Sequence, residues 1–206
     1  MFTGLVEAVG ELVDRTATEG GFRLRIATEL ASELSEGDSL AVNGVCLTVV
    51  AAGGGGMAAD VGPETVRVTT LGSIPRHSVV NLERPLRADS RFGGHFVQGH
   101  VDAIGRIEEI RSEAEFVWLT VAFPSHLAPM FVSKGSVAVD GVSLTVALLD
   151  TDRFDIQLVP FTLAHTNLGH AKIGDAVNLE CDIVGKYVAR AAELAGLTPT
   201  SVGREK

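Results

Sequence analysis

The chain reads as all-β: two tandem small closed barrels of about six short strands each, followed by one helix. Three observations predict this. The run AVNGVCLTV, Ala41 to Val49, returns as AVDGVSLTV, Ala138 to Val146. The likeness extends well beyond that run, so a unit of roughly 95 residues is present twice. Within either copy, apolar residues alternate instead of following a helical period. The period is too long for a solenoid module, which makes each copy a domain of its own. The first barrel takes residues 1–95, the second 96–184, a helix 185–197, and a polar, frayed tail 198–206.

The elements follow in order. Residues 4–13 read as the first strand and 22–27 as the second. Residues 40–42 and 45–51 form a hairpin about Asn43-Gly44, a dipeptide that tolerates positive φ. Gly53 to Gly56 is a flexible turn; a phosphate cradle is the alternative, but no lysine or helix start follows it. Residues 57–61 and 79–83 are further strands. Pro63-Glu64-Thr65 opens a short helical turn, where Thr65 is either a cap or a ligand contact, as is Thr162 in the second copy. That copy repeats the order about Asp140-Gly141. At the end, Tyr187, Val188, Ala191, Leu194 and Ala195 fall at helical spacing and make one amphipathic helix. It has no copy, so its apolar face packs on a barrel or, the reading preferred here, on another subunit.

Composition narrows the function. A net charge of −9 argues against nucleic acid, which needs a basic face. No basic block suggests a membrane surface, and the opening MFTGLVEAVG reads as neither signal peptide nor membrane span. The two cysteines, Cys46 and Cys181, stand at non-equivalent places in the copies, which favours free thiols in a cytoplasmic protein over a disulfide framework. His95 and His100, in GGHFVQGH, lack a third histidine or a cysteine cluster to complete a metal site. Glu108, Glu109, Glu113 and Glu115 read as a solvated face.

The chemistry sits on the repeated hairpin. With a period of two, Cys46 and Thr48 point one way, as do Ser143 and Thr145. Alone, Cys46 reads as a buried structural thiol; its recurrence as Ser143 raises a ligand-facing reading beside that one.

Taken together, MFTGLVE, NGVCLTV, PETVRVTTLG, GGHFVQGHVD, KGSVAVDGVSLTV and VNLE-x-D resemble the riboflavin synthases of the lumazine-binding double-barrel type, over nearly the whole chain. The resemblance implies two six-stranded Greek-key barrels and a C-terminal helix, assembled as a homotrimer. It implies that two molecules of 6,7-dimethyl-8-ribityllumazine react by four-carbon transfer to give riboflavin and 5-amino-6-ribitylaminouracil, without metal or redox cofactor. The site would lie between the first barrel of one subunit and the second of the next. Association with a lumazine synthase shell is left open, as is which barrel holds the donor.

Carried over residue by residue, the resemblance implies catalytic roles among Phe2, Cys46, His100, Ser143, Thr145 and Asp182. It implies substrate contacts at Gly4, Leu5, Val6, Cys46, Leu47, Thr48, Asp60, Val61, Gly62, Pro63, Glu64 and Thr65, grouped with the first barrel. Grouped with the second are Gly99, His100, Val101, Lys134, Ser143, Leu144, Thr145, Leu158, Val159, Pro160, Phe161, Thr162 and Leu163. Phe161 stands where the first copy has Glu64, so the two loops differ. A non-catalytic antenna protein of the same fold, binding lumazine or flavin, is the competing reading; retention of polar pairs, proline-threonine loops and VNLE strands in both copies favours catalysis.

Overall fold

The computed structural model describes residues 1–197; the expectation for 198–206 lies outside them. The first barrel comprises β1 (Ala8–Thr18), β2 (Gly21–Ala27), β3 (Ser39–Val42), β4 (Val45–Gly53), β5 (Gly56–Val61) and β6 (Val79–Glu83), with a short helix α1 (Pro63–Val68). It closes in the order β1-β2-β5-β4-β3-β6, with β6 returning to pair with β1. The second barrel comprises β7 (Ala103–Glu113), β8 (Phe116–Ala122), β9 (Ser136–Val139), β10 (Val142–Thr145), β11 (Leu148–Leu149), β12 (Arg153–Leu158) and β13 (Ala176–Cys181), with α2 (Pro160–His165). Its strands follow the corresponding order, β10-β9-β13-β7-β8-β12-β11, but as a curled seven-stranded sheet whose ladder, unlike the closed one expected, stays open between β10 and β11. β10 and β11 together are the counterpart of β4, interrupted at Val146-Ala147. The first strand begins later than its alternation suggests, because residues 4–6 run along the other barrel.

Bulges supply the curvature that closure needs, and they too are repeated. Register shifts between Leu12 and Asp14 in β1, and between Ile107 and Glu109 in β7. β4 shifts between Val49 and Ala51, where the second copy breaks altogether. Inward-facing residues fill each barrel: Leu12, Leu24, Ile26, Leu40 and Leu82 in the first, Ile107, Leu119, Val121, Phe154 and Ile156 in the second. The Pro63 and Pro160 helices begin at their prolines, as the fixed φ of proline favours.

The barrels meet back to back at their two hairpin turns. Asn43 and Asp140 both adopt φ +45°, and Gly44 and Gly141 follow at +74° and +78°, the geometry of a type I′ turn. The seam is a reciprocal polar network. Asn81 Nδ2 donates to the Asp140 carbonyl (2.9 Å) and Asn178 Nδ2 to the Asn43 carbonyl (2.8 Å). The Asn81 N–H donates to Asn43 Oδ1 (2.7 Å), and the Asn178 N–H to Asp140 Oδ1 (2.8 Å). Asn167 Nδ2 also donates to Asp140 Oδ2 (2.8 Å).

Helix α3 (Ile183–Leu194) starts before the expected boundary, capped by Asp182. Gly185 lies inside it because a Cβ there would stand 2.5 Å from the Met130 carbonyl oxygen, in the 3-10 turn Ser125–Met130. Val184, Tyr187, Val188 and Leu194 remain exposed. Among the described residues no helix is long and apolar enough to cross a membrane.

Two outcomes follow. A Cβ on Gly44 would lie 2.6 Å from the Gly141 nitrogen, whereas Gly37, also at positive φ, has open space around it. Gly44→Ala therefore lowers stability by about 2 kcal/mol or more and Gly37→Ala by about 1 kcal/mol, measured by denaturant unfolding. The second concerns Asp140, whose carboxyl burial pushes up to about 6, against the pull of the Asn178 and Asn167 donors. A folded pKa above the unfolded one favours folding when protonated. That contribution is complete below the ordinary carboxylate value and is lost as pH rises through about 6. Asp140→Asn, which copies Asn43, removes it. The variant's stability relative to the parent rises by on the order of 2–3 kcal/mol between about pH 4 and 7, read from unfolding at both ends of that range.

Candidate active site

Each barrel's polar strand edge is completed by the segment that leads into the other barrel. The Ser143 N–H donates to the Gly4 carbonyl (2.7 Å), and Val6 packs on the second core. Reciprocally, the Cys46 N–H donates to the Gly99 carbonyl (2.9 Å), and Val101 packs on the first core. Phe2 and Val97 bridge each other where the segments cross. Glycine is needed at both crossings: Cβ atoms on Gly4 and Gly99, at φ +75° and +79°, would stand 2.6 Å from Ser143 Cβ and 2.5 Å from Cys46 Cβ. This overturns the grouping read from chain order. Gly4, Leu5 and Val6 belong with Ser143, and Gly99, His100 and Val101 with Cys46.

Two buried carboxylates fasten the segments. Glu83, ending β6, accepts from the Thr3 N–H (2.7 Å), the Thr3 hydroxyl (2.8 Å) and the Gly4 N–H (2.9 Å). Glu180, in β13, accepts from the N–H groups of Gln98 (2.7 Å), Gly99 (3.0 Å) and His100 (3.0 Å). Burial pushes both carboxyls above their usual range, and these donors pull them back. The sequence reading counted the VNLE strands among the features kept in both copies and gave Glu83 and Glu180 no role of their own. The signal was present: an acid ending a buried apolar strand, twice, requires donors.

Alternation along the edges is as the pattern implied. Cys46 and Ser143 are half-buried, Thr48 and Thr145 exposed. The same period of two turns the Leu47, Val61 and Leu158 side chains into the barrel cores, so only their backbone groups face an edge; Leu144 is partly packed on the second core. Asp60 forms a bidentate pair with Arg23 (2.6 and 2.8 Å), which holds its carboxyl below the usual range. Gly62, Pro63, Glu64 and Thr65 form one loop-to-helix opening, and Val159, Pro160, Phe161, Thr162 and Leu163 the other. Glu64 pairs with Arg67, while Phe161 stacks on His165 with centroids 4.0 Å apart. Thr65 and Thr162 are inside the helices rather than capping them, and their carbonyls accept from the Thr69 and Thr166 hydroxyls. Lys134, at φ +65°, donates from Nζ to the Ala147 carbonyl (2.7 Å), beside the break after β10.

Two candidates stand behind the edges rather than on them. Phe2 is fully buried in a seam cluster with Ala41, Val97 and Ala138, against which Cys46 packs. Its ring therefore has no open face for a ligand to stack on within this chain. Asp182 accepts from the Val184 N–H (3.0 Å) and caps α3.

Sequence reasoning weighed His95 as a metal ligand and gave it no place at the Ser143 edge. Its Nδ1 lies 2.7 Å from Ser143 Oγ, while its Nε2 is buried without a partner among the described residues. Burial lowers its pKa, and the Asp182 charge opposes that. A neutral ring with its proton on Nε2 presents Nδ1 as the acceptor of the serine proton. The two edges thus share a frame and differ in proton chemistry: a serine backed by an imidazole on one, a thiol beside the His100 segment on the other. Among the described residues, no three His, Cys, Asp or Glu groups stand together as a metal site.

Comparison with known proteins agrees with this architecture. The lumazine binding domain model matches residues 3–85 and again 98–182. The riboflavin synthase of Actinobacillus pleuropneumoniae is 43% identical over 190 residues, covering 91% of this chain and 88% of the relative. That of Mycobacterium tuberculosis is 44% identical over 201 residues, covering 95% and 100%. The crystal structure of LumP complexed with riboflavin superposes with a TM-score of 0.81 at 25% identity, over 88% of this chain and 99% of that one. With both halves matched by one family model, and relatives this similar over nearly the full length, the chain belongs to the lumazine-binding domain family.

Proposed function

We propose that this chain is a riboflavin synthase. It moves a four-carbon unit from one molecule of 6,7-dimethyl-8-ribityllumazine to another and releases riboflavin and 5-amino-6-ribitylaminouracil. One observation carries the reading: a single binding unit occurs twice, each edge completed by the other unit's segment, with unequal proton-handling groups on equal frames. Curated relatives of that name match nearly the whole chain. A reaction between two identical molecules in different roles needs that combination.

The atoms of two substrates equal those of the two products, so the reaction consumes no oxidant. It needs two rings held together and protons moved. Holding the rings in reactive geometry contributes on the order of 7–11 kcal/mol, and positioned acid–base groups add roughly 10²–10⁴-fold. At the Ser143 edge, a proton leaving the 7-methyl group of one lumazine passes to Ser143 Oγ as the serine proton moves to His95 Nδ1, 2.7 Å away. Thr145 lies on the same strand face. Cys46, Thr48 and His100 hold the second lumazine, and backbone groups of the strands meet its pyrimidine-like edge.

The assembly inferred is a homotrimer, with substrate enclosed between the first barrel of one subunit and the second of its neighbour. The exposed Val184, Tyr187, Val188 and Leu194 of α3 support a subunit contact through that helix. The free cysteines Cys46 and Cys181 support a cytoplasmic location.

Incubating the purified chain with 6,7-dimethyl-8-ribityllumazine alone tests the activity. Riboflavin should appear, by absorbance, at close to one molecule per two lumazines consumed. Tight binding without turnover would instead make it a carrier of the bound chromophore. His95→Gln and Ser143→Ala each lower kcat by about 10²-fold or more, and the double variant is no worse than the poorer single one, because the pair acts as a unit.

A further inference from the structure

Both units place an acid directly after the crossing segment, and each acid meets a cation drawn from a different place. In the first unit the acid is Glu7. Its partner is Arg84, the residue after β6, with Nε–Oε2 at 2.7 Å. In the second unit the acid is Asp102, but the position matching Arg84 is Cys181, a buried thiol pushed up to about 12 by its surroundings. The cation comes instead from α3: Lys186 Nζ lies 2.7 Å from Asp102 Oδ1, with both side chains mostly shielded. The other Asp102 oxygen accepts from the Cys181 N–H (2.8 Å). Lys186 Nζ also reaches the His100 carbonyl at 3.4 Å.

The peptide carrying His100 is therefore held from two sides. Glu180 takes its N–H and that of Gly99, and Lys186 faces its carbonyl. The Lys186 charge also favours the ionised form of Glu180, which burial disfavours. Gly99, in turn, accepts from Cys46. A continuous chain of contacts thus runs from α3 through Lys186 to the Cys46 edge.

We propose that Lys186 is a positioning residue for the Cys46 site: it ties α3 to the segment that lays His100 along β4, so the shape of that edge depends on the seating of the helix. Calling that edge a substrate site rests on the function proposed above; the tie between helix and segment does not.

The test is amide hydrogen exchange on the full chain, parent against Lys186→Met, which keeps the stem and removes the ammonium. Exchange at the Gly99, His100 and Cys46 amides is expected to accelerate by about tenfold or more. The matching Gly4 and Ser143 amides, held through Glu83, keep their parent rates. Lys186→Arg restores the slow exchange. Asp102→Asn, which retains an acceptor for the Cys181 N–H, reproduces the pattern should Lys186→Met fold poorly. In turnover with 6,7-dimethyl-8-ribityllumazine, Lys186→Met lowers kcat by roughly tenfold, and Lys186→Arg recovers it. Unchanged exchange at the three amides, or equal acceleration at all five, would overturn the proposal. Loosened amides with parental kcat would overturn the link to the site. Loosened amides in a chain whose parent converts no lumazine would leave the helix tie standing and remove the synthase reading.

Discussion

Glu83 and Glu180 bury their carboxylates at the ends of the last strands of the two barrels. A carboxylate without partners in such a place costs several kcal/mol. Each finds three donors, and all of them lie in the segment that leads into the acid's own barrel and crosses the edge of the other one. The acid at the end of a barrel's last strand thus fixes where the segment entering its first strand must run. From that follows the exchange of segments, the close approach of Gly4 to Ser143 and of Gly99 to Cys46, and the completion of each edge by foreign residues. Neither barrel carries a finished site alone.

Around this frame the molecule is nearly symmetric, and its departures from symmetry fall at the edges, the seam and the helix. Cys46 is matched by Ser143, and the serine is backed by His95. Asn43 is matched by Asp140 and Thr70 by Asn167, so the seam carries one buried acid with an amide donor aimed at it. Arg84 is matched by Cys181, with Lys186 supplying the missing charge from the helix. Shared groups set where two identical rings can lie. In the function proposed above, unshared groups make one ring the partner that loses a proton.

The helix joins this system through few groups. Asp182 caps its first turn, Gly185 allows it against Met130, and Lys186 binds it to Asp102. Its apolar residues face outward in a single chain. The ion pair and the close glycine contact seat its first turn beside the segment that carries His100.

The sequence by itself determined the duplication, the succession of strands along the chain and the faces of the repeated hairpin. Those depend on local rules: side chains alternate along a strand, Asn-Gly and Asp-Gly turn tightly, proline opens a helix. The Cys46–Thr48 and Ser143–Thr145 pairs were legible for the same reason. Only the tertiary structure decided which barrel each leading segment serves, because chain order assigns residues 4–6 to the first unit while the Ser143–Gly4 hydrogen bond and the packing of Val6 lay them on the second. It also decided that Phe2 is enclosed in the seam and that His95 meets Ser143 across 48 residues. Such contacts arise where distant segments compete for the same buried acceptor or cavity, and no local period records the outcome of that competition.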